Sequence, residues 1–166
     1  MFREVIAQIK EKYKLSDRAL LRNANLPPHD NMPSYMLGNR VYPVNRLEKI
    51  FVAYDVKYQI NEVAIKNKNR SKFIEGKITL QGKTLFQEIF LQIRGKYKLT
   101  YKNILKEVGL PETDSCSLIF YASGKKTYPL NKIEKIFTCF GVEFILPDND
   151  SSDTQPKEIG EVEISN

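Results

Sequence analysis

The sequence predicts a mainly α-helical chain made of two tandem copies of one small helical unit, joined by a basic linker that carries a β hairpin. Three observations predict it. The chain repeats itself, each copy spaces its apolar residues at helical intervals, and helix-start and helix-stop residues recur at matching positions in both.

The repeat comes first because it sets the frame. Phe2 to Pro27 aligns without a gap with Phe86 to Pro111 at an offset of 84, and Tyr42 to Ile60 aligns with Tyr128 to Leu146 at an offset of 86. Of the 45 aligned positions 19 are identical, against roughly three expected by chance, so the chain is a duplication. With only two copies of about 60 residues each, two tandem small domains fit better than a stacked array. One body with pseudo-two-fold symmetry is the alternative. The expected boundaries are 1–60 for the first domain, 61–84 for the linker, 85–147 for the second domain and 148–166 for an acidic disordered tail.

Each unit reads as helices in the same order. Phe2, Val5, Ile6, Ile9 and Tyr13 recur at three and four, as do Phe86, Ile89, Phe90, Ile93 and Tyr97. Ser16 and Thr100 are natural caps for a second helix, which stops before Asn25 or Gly109, residues that tolerate a left-handed turn. A short third helix ends at Gly38 or Gly124. The last helix opens with Asn45-Arg46-Leu47-Glu48 or Asn131-Lys132-Ile133-Glu134, read as a capping box with Asn in the capping seat. In the linker, Val56 to Ile60 and Lys77 to Gln81 alternate apolar and polar residues, a hairpin signal, with Val142 to Leu146 as a candidate further strand. Between them the basic run holding Lys66, Lys68 and Arg70 suits a phosphate backbone or a solvated loop.

Charge and composition narrow the function. The net charge of +6 divides into −5 for the tail from Asp148 and +11 for the rest, a balance that suits a polyanionic partner. No run approaches the roughly 20 apolar residues of a membrane span, and no signal peptide is expected, so the expected compartment is the cytoplasm. One histidine, His29, sits between Pro28 and Asp30, and the two cysteines, Cys116 and Cys139, form no Cys-x-x-Cys. Gly82-Lys83-Thr84 lacks the earlier glycine of a phosphate-binding loop. An enzyme, a metal site or a bound cofactor is therefore not expected.

Leu15-Ser16-Asp17-Arg18-Ala19-Leu20, Asn25-Leu26, Gly38-Asn39-Arg40, Pro43 and Leu47-Glu48-Lys49-Ile50, with their second set at Leu99-Thr100, Gly109-Leu110, Gly124-Lys125-Lys126, Pro129 and Ile133-Glu134-Lys135-Ile136, resemble the lambda-repressor/Cro-type helix-turn-helix family. The resemblance covers about two thirds of the chain. It implies two tandem helix-turn-helix domains whose third helices, within Asn31 to Leu37 and Ser115 to Ser123, enter the major groove of duplex DNA. Met32, Tyr35, Leu118 and Tyr121 would take inward seats. Asp30, Asn31, Pro33 and Ser34, with Ser115, Ser117, Ile119 and Phe120, would face the groove. Asn39 and Arg40, like Lys125, Lys126 and Thr127, would lie beside phosphate, joined by Arg18 and Lys102 at the start of each second helix.

The chain departs from the family in two respects. Asp17 and Tyr101 stand where the family commonly has Gln, and neither recognition segment carries Arg or Gln, the usual readers of guanine and adenine. The reading is a DNA-binding transcriptional regulator of the phage or mobile-element kind, a monomer acting as a pseudo-dimer, or a homodimer. The alternative is a protein-interaction module that kept the fold without DNA readout, with a partner at Ile119-Phe120-Tyr121.

Overall fold

The computed structural model describes residues 1–66 and 82–148. Among them the chain is mainly helical, with one two-stranded antiparallel sheet. The first copy holds α1 (Phe2–Lys12), α2 (Asp17–Asn23), α3 (Met32–Met36), α4 (Val44–Ala53) and β1 (Lys57–Ile60). The second holds α5 (Leu85–Tyr97), α6 (Tyr101–Val108), a 3-10 turn (Glu112–Asp114), α7 (Ser115–Ala122), α8 (Leu130–Cys139) and β2 (Val142–Ile145). The expected strand at 77–81, the residues Lys68 and Arg70, and the tail from 149 onward lie outside the described residues.

Local chemistry explains most helix ends. The Ser16 hydroxyl accepts the Ala19 N–H and the Thr100 hydroxyl accepts the Asn103 N–H, each at 3.2 Å, satisfying donors that an α-helix leaves unpaired. Asn25 (φ +52°) and Gly109 (φ +67°) make the left-handed turns after α2 and α6. The last helices differ from expectation. Pro43 and Pro129, both extended, occupy the cap seats of α4 and α8, so Asn45 and Asn131 already lie inside the helices and cap nothing. Proline starts these helices because its fixed φ suits entry and its missing N–H is no loss there. Tyr13 also differs: it is exposed at the end of α1, with its ring 5.4 Å from that of Tyr54.

Released from capping duty, Glu48 and Glu134 each reach the other repeat. A Glu48 carboxylate oxygen accepts the Phe86 N–H at 2.8 Å, and Glu134 accepts the Phe2 N–H at 3.1 Å. Phe2 and Phe86 are the same position in the two copies. Their rings stack on each other, 5.0 Å apart and 11° from parallel. Phe51 and Phe137, another matched pair, stand edge-on to both, and Phe144 closes the group. These aromatics contribute about 1.5–3 kcal/mol each through burial, with edge and stacking contacts adding to it. The two repeats thus meet in one core.

The sheet obeys the same symmetry. β1 pairs with β2 antiparallel, and Tyr58 lies opposite Phe144, its own counterpart at the offset of 86. A pseudo-two-fold axis therefore passes between those residues. Beyond β1 the chain is laid along the second repeat. The Lys96 ammonium donates to the Ile60 carbonyl at 2.6 Å, the Tyr97 hydroxyl to the Asn61 carbonyl at 2.8 Å, and Ile65 is buried. On the opposite side, Lys12 donates to the Pro147 carbonyl.

Candidate nucleic-acid interface

The short helices α3 and α7 bury the residues expected to point inward, Met32 and Tyr35 in one, Leu118 and Tyr121 in the other. Burial raises the Tyr35 hydroxyl to about 12, helped by the charge of Glu134; burial and Glu48 raise that of Tyr121 in the same way. The outward residues divide. Asn31 and Pro33 are exposed and Ser34 is half-buried, while Ser117, Ile119 and Phe120 are exposed on α7. Both helices close at a positive-φ glycine, Gly38 at +83° and Gly124 at +80°. This turn, which an L side chain resists, sends Asn39 and Arg40, or Lys125, Lys126 and Thr127, out into solvent. Lys126 lies over the Phe120 ring at 5.1 Å, so cation and aromatic form one patch.

Two expected groove residues are placed elsewhere. The Asp30 side chain is only 2% exposed: Tyr42 donates to it at 2.6 Å and Arg46 pairs with it. It ties the entry of α3 to α4 instead of facing outward. Its counterpart Asp114 pairs with Lys132 on α8. Ser115 is buried because the 3-10 turn runs into α7 there and packs against α6.

Arg18 and Lys102 are exposed near the starts of α2 and α6. The neighbouring Asp17, a negative charge awkward beside phosphate, is neutralised by Lys10 at 2.6 Å. In the second copy the same two seats hold Arg94 and Tyr101, with the guanidinium 4.7 Å from the ring centre. Arg3 adds a cation that no motif in the sequence marks. It lies 5.2 Å from the centre of the Tyr35 ring, and its guanidinium approaches to 3.0 Å of where a Gly38 Cβ would stand. The available signal is its alignment with Gln87, which lies beside Gly124 in the same way. Lys66 is exposed, and its backbone N–H donates to Glu107 at 2.8 Å, which holds it beside α6.

Between α6 and α7 runs an open groove of about 490 Å³, lined by Tyr101, Lys102, Lys106, Glu112, Ser115 and Ile119 among others. Among the described residues no three His, Cys, Asp or Glu side chains come together as a metal site, and no helix is long and apolar enough to cross a membrane. His29 is exposed in its loop, Cys116 is exposed, and burial pushes the half-buried Cys139 thiol up. No family model matches the chain, and neither the curated proteins nor the solved structures contain a match to it.

Proposed function

We propose that the chain is a DNA-binding transcriptional regulator of the phage or mobile-element kind, in which two helix-turn-helix units act as a built-in pseudo-dimer on duplex DNA. One observation carries this reading. In each copy a short helix with buried inward seats follows a capped helix and ends at a positive-φ glycine, beyond which exposed basic residues project. A pseudo-two-fold relation between two such elements suits the local two-fold symmetry of duplex DNA, on which paired readers lie about one turn apart. The +11 outside the tail supplies the electrostatic attraction.

The second reading, a protein-interaction module, is favoured by a different observation. Leu37 and Val41 are 76% and 71% exposed in the first copy, and Ile119 and Phe120 are exposed in the second.

Fluorescence anisotropy with random-sequence duplex DNA across a salt series separates the two. The full chain should bind with an affinity that falls steeply with salt. Lys125→Ala with Lys126→Ala should weaken binding and flatten the log–log slope by about 0.9 for each phosphate that is no longer neutralised. A chain ending at Pro147, without the acidic tail, should bind more tightly. Absence of binding even at low salt returns the function to the interaction module.

A further inference from the structure

We infer that the second copy reads thymine through its 5-methyl group, and that the DNA site is therefore unequal, with methyl-dependent recognition confined to the half-site under α7. The inference rests on the DNA-binding reading above. α7 turns its polar-poor outer face to solvent: Ile119 is 43% exposed and Phe120 39%, with Ser117 between them and the 3-10 turn. The first copy has Pro33 and Ser34 in those two seats; its exposed apolar side chains, Leu37 and Val41, stand at the C-cap of α3 and beyond Gly38 instead.

Base edges in the major groove offer apolar contact at one place, the methyl of thymine, and apolar side chains pair with it. The charge around the patch favours nucleic acid as its occupant. Lys126 lies over the Phe120 ring, Lys125 is exposed next to it, and Lys102 and Lys106 line the adjoining groove. Among the described residues Glu112 is the one carboxylate lining that groove. Cations set beside an apolar strip give phosphate contacts flanking a methyl contact.

The test uses the full chain and duplexes of about 30 base pairs, long enough for two half-sites, selected from a random-sequence library. Each thymine is then replaced in turn by deoxyuridine, which removes only the methyl group. Losses of about fourfold per contacted methyl, the effect of one buried carbon, should appear in one half-site alone. Ile119→Ser with Phe120→Ser should abolish that sensitivity while leaving the salt slope unchanged. Both positions are exposed, so the fold tolerates the change; circular dichroism checks it. Duplex binding with no uracil effect, or with equal effects in both half-sites, overturns the inference and leaves the regulator standing. The same holds if the double variant binds DNA as well as wild type, which would assign the patch to a protein partner. No duplex binding by wild type at low salt removes the inference together with the function it rests on.

Discussion

The two copies meet through matched residues and differ most visibly on their short outer helices. Phe2 and Phe86, Phe51 and Phe137, and Glu48 and Glu134 are identical pairs, and all lie at the junction. Outside it, a Lys10–Asp17 ion pair in one copy becomes an Arg94–Tyr101 cation–π contact in the other. Pro33 and Ser34 become Ile119 and Phe120. The difference teaches where the physical constraint lies. A change at the junction is felt by both copies through one core, whereas a change on an outer face is felt by one copy alone.

That comparison breaks most sharply at the stacked rings. Phe86→Ala should cost about 3–5 kcal/mol, and wild type should unfold in urea as one transition followed alike by fluorescence and circular dichroism. Two separate transitions would show the copies to be independent and the shared core to be unimportant. Next come the reciprocal carboxylates, which are not equally buried. Glu48 is 6% exposed, so Glu48→Ala strands the Phe86 N–H away from water, at a cost of about 1–3 kcal/mol. The Glu134 side chain is 35% exposed, and water can replace it. Glu134→Ala should therefore cost less, an asymmetry that denaturation midpoints will reveal.

The same carboxylate gives a pH signature. Burial raises Glu48 above its ordinary 4.5, against the hydrogen bonds from Thr84 and Phe86 that pull it down. The folded chain then holds this proton more tightly than the unfolded one. The stability linked to it is complete below 4.5 and is lost as the pH rises through the raised value. Glu48→Gln, which stays neutral, should flatten that limb in a plot of Tm against pH; an unchanged limb would place the titration elsewhere. The smallest effect belongs to the outer faces. Asp17→Asn should cost about 0.2–1 kcal/mol, diminishing with salt, while a variant of the uncharged Tyr101 should show no such salt dependence.

The elements are readable in the sequence wherever local chemistry decides them. Ser16 and Thr100 cap, Asn25 and Gly109 turn left-handed, and apolar spacing names the buried residues of α1 and α5. What spacing does not convey is which neighbour a side chain meets. Glu48 has the spacing of a capping box, yet its partner lies 38 residues away. Asp30 looks like an exposed loop carboxylate until Tyr42 and Arg46 close over it. Of the candidate site, the post-glycine cations and the apolar strip of α7 are readable because both are runs of adjacent residues. Arg3 is not, because its place beside Gly38 depends on how α1 packs.

Pairing β1 with β2 also has a cost in time. The strands are more than eighty residues apart in the chain, so the first copy leaves the ribosome with an open strand edge and half of its aromatic core missing. At cellular synthesis rates that interval lasts on the order of ten seconds, far longer than the microseconds in which hairpins form. During it, the nascent first copy fits the second copy of a neighbouring chain as well as its own. A nascent first copy therefore waits for a partner that has the same sequence in every chain, and raising the concentration of nascent chains should raise the share of exchanged dimers that size-exclusion chromatography detects.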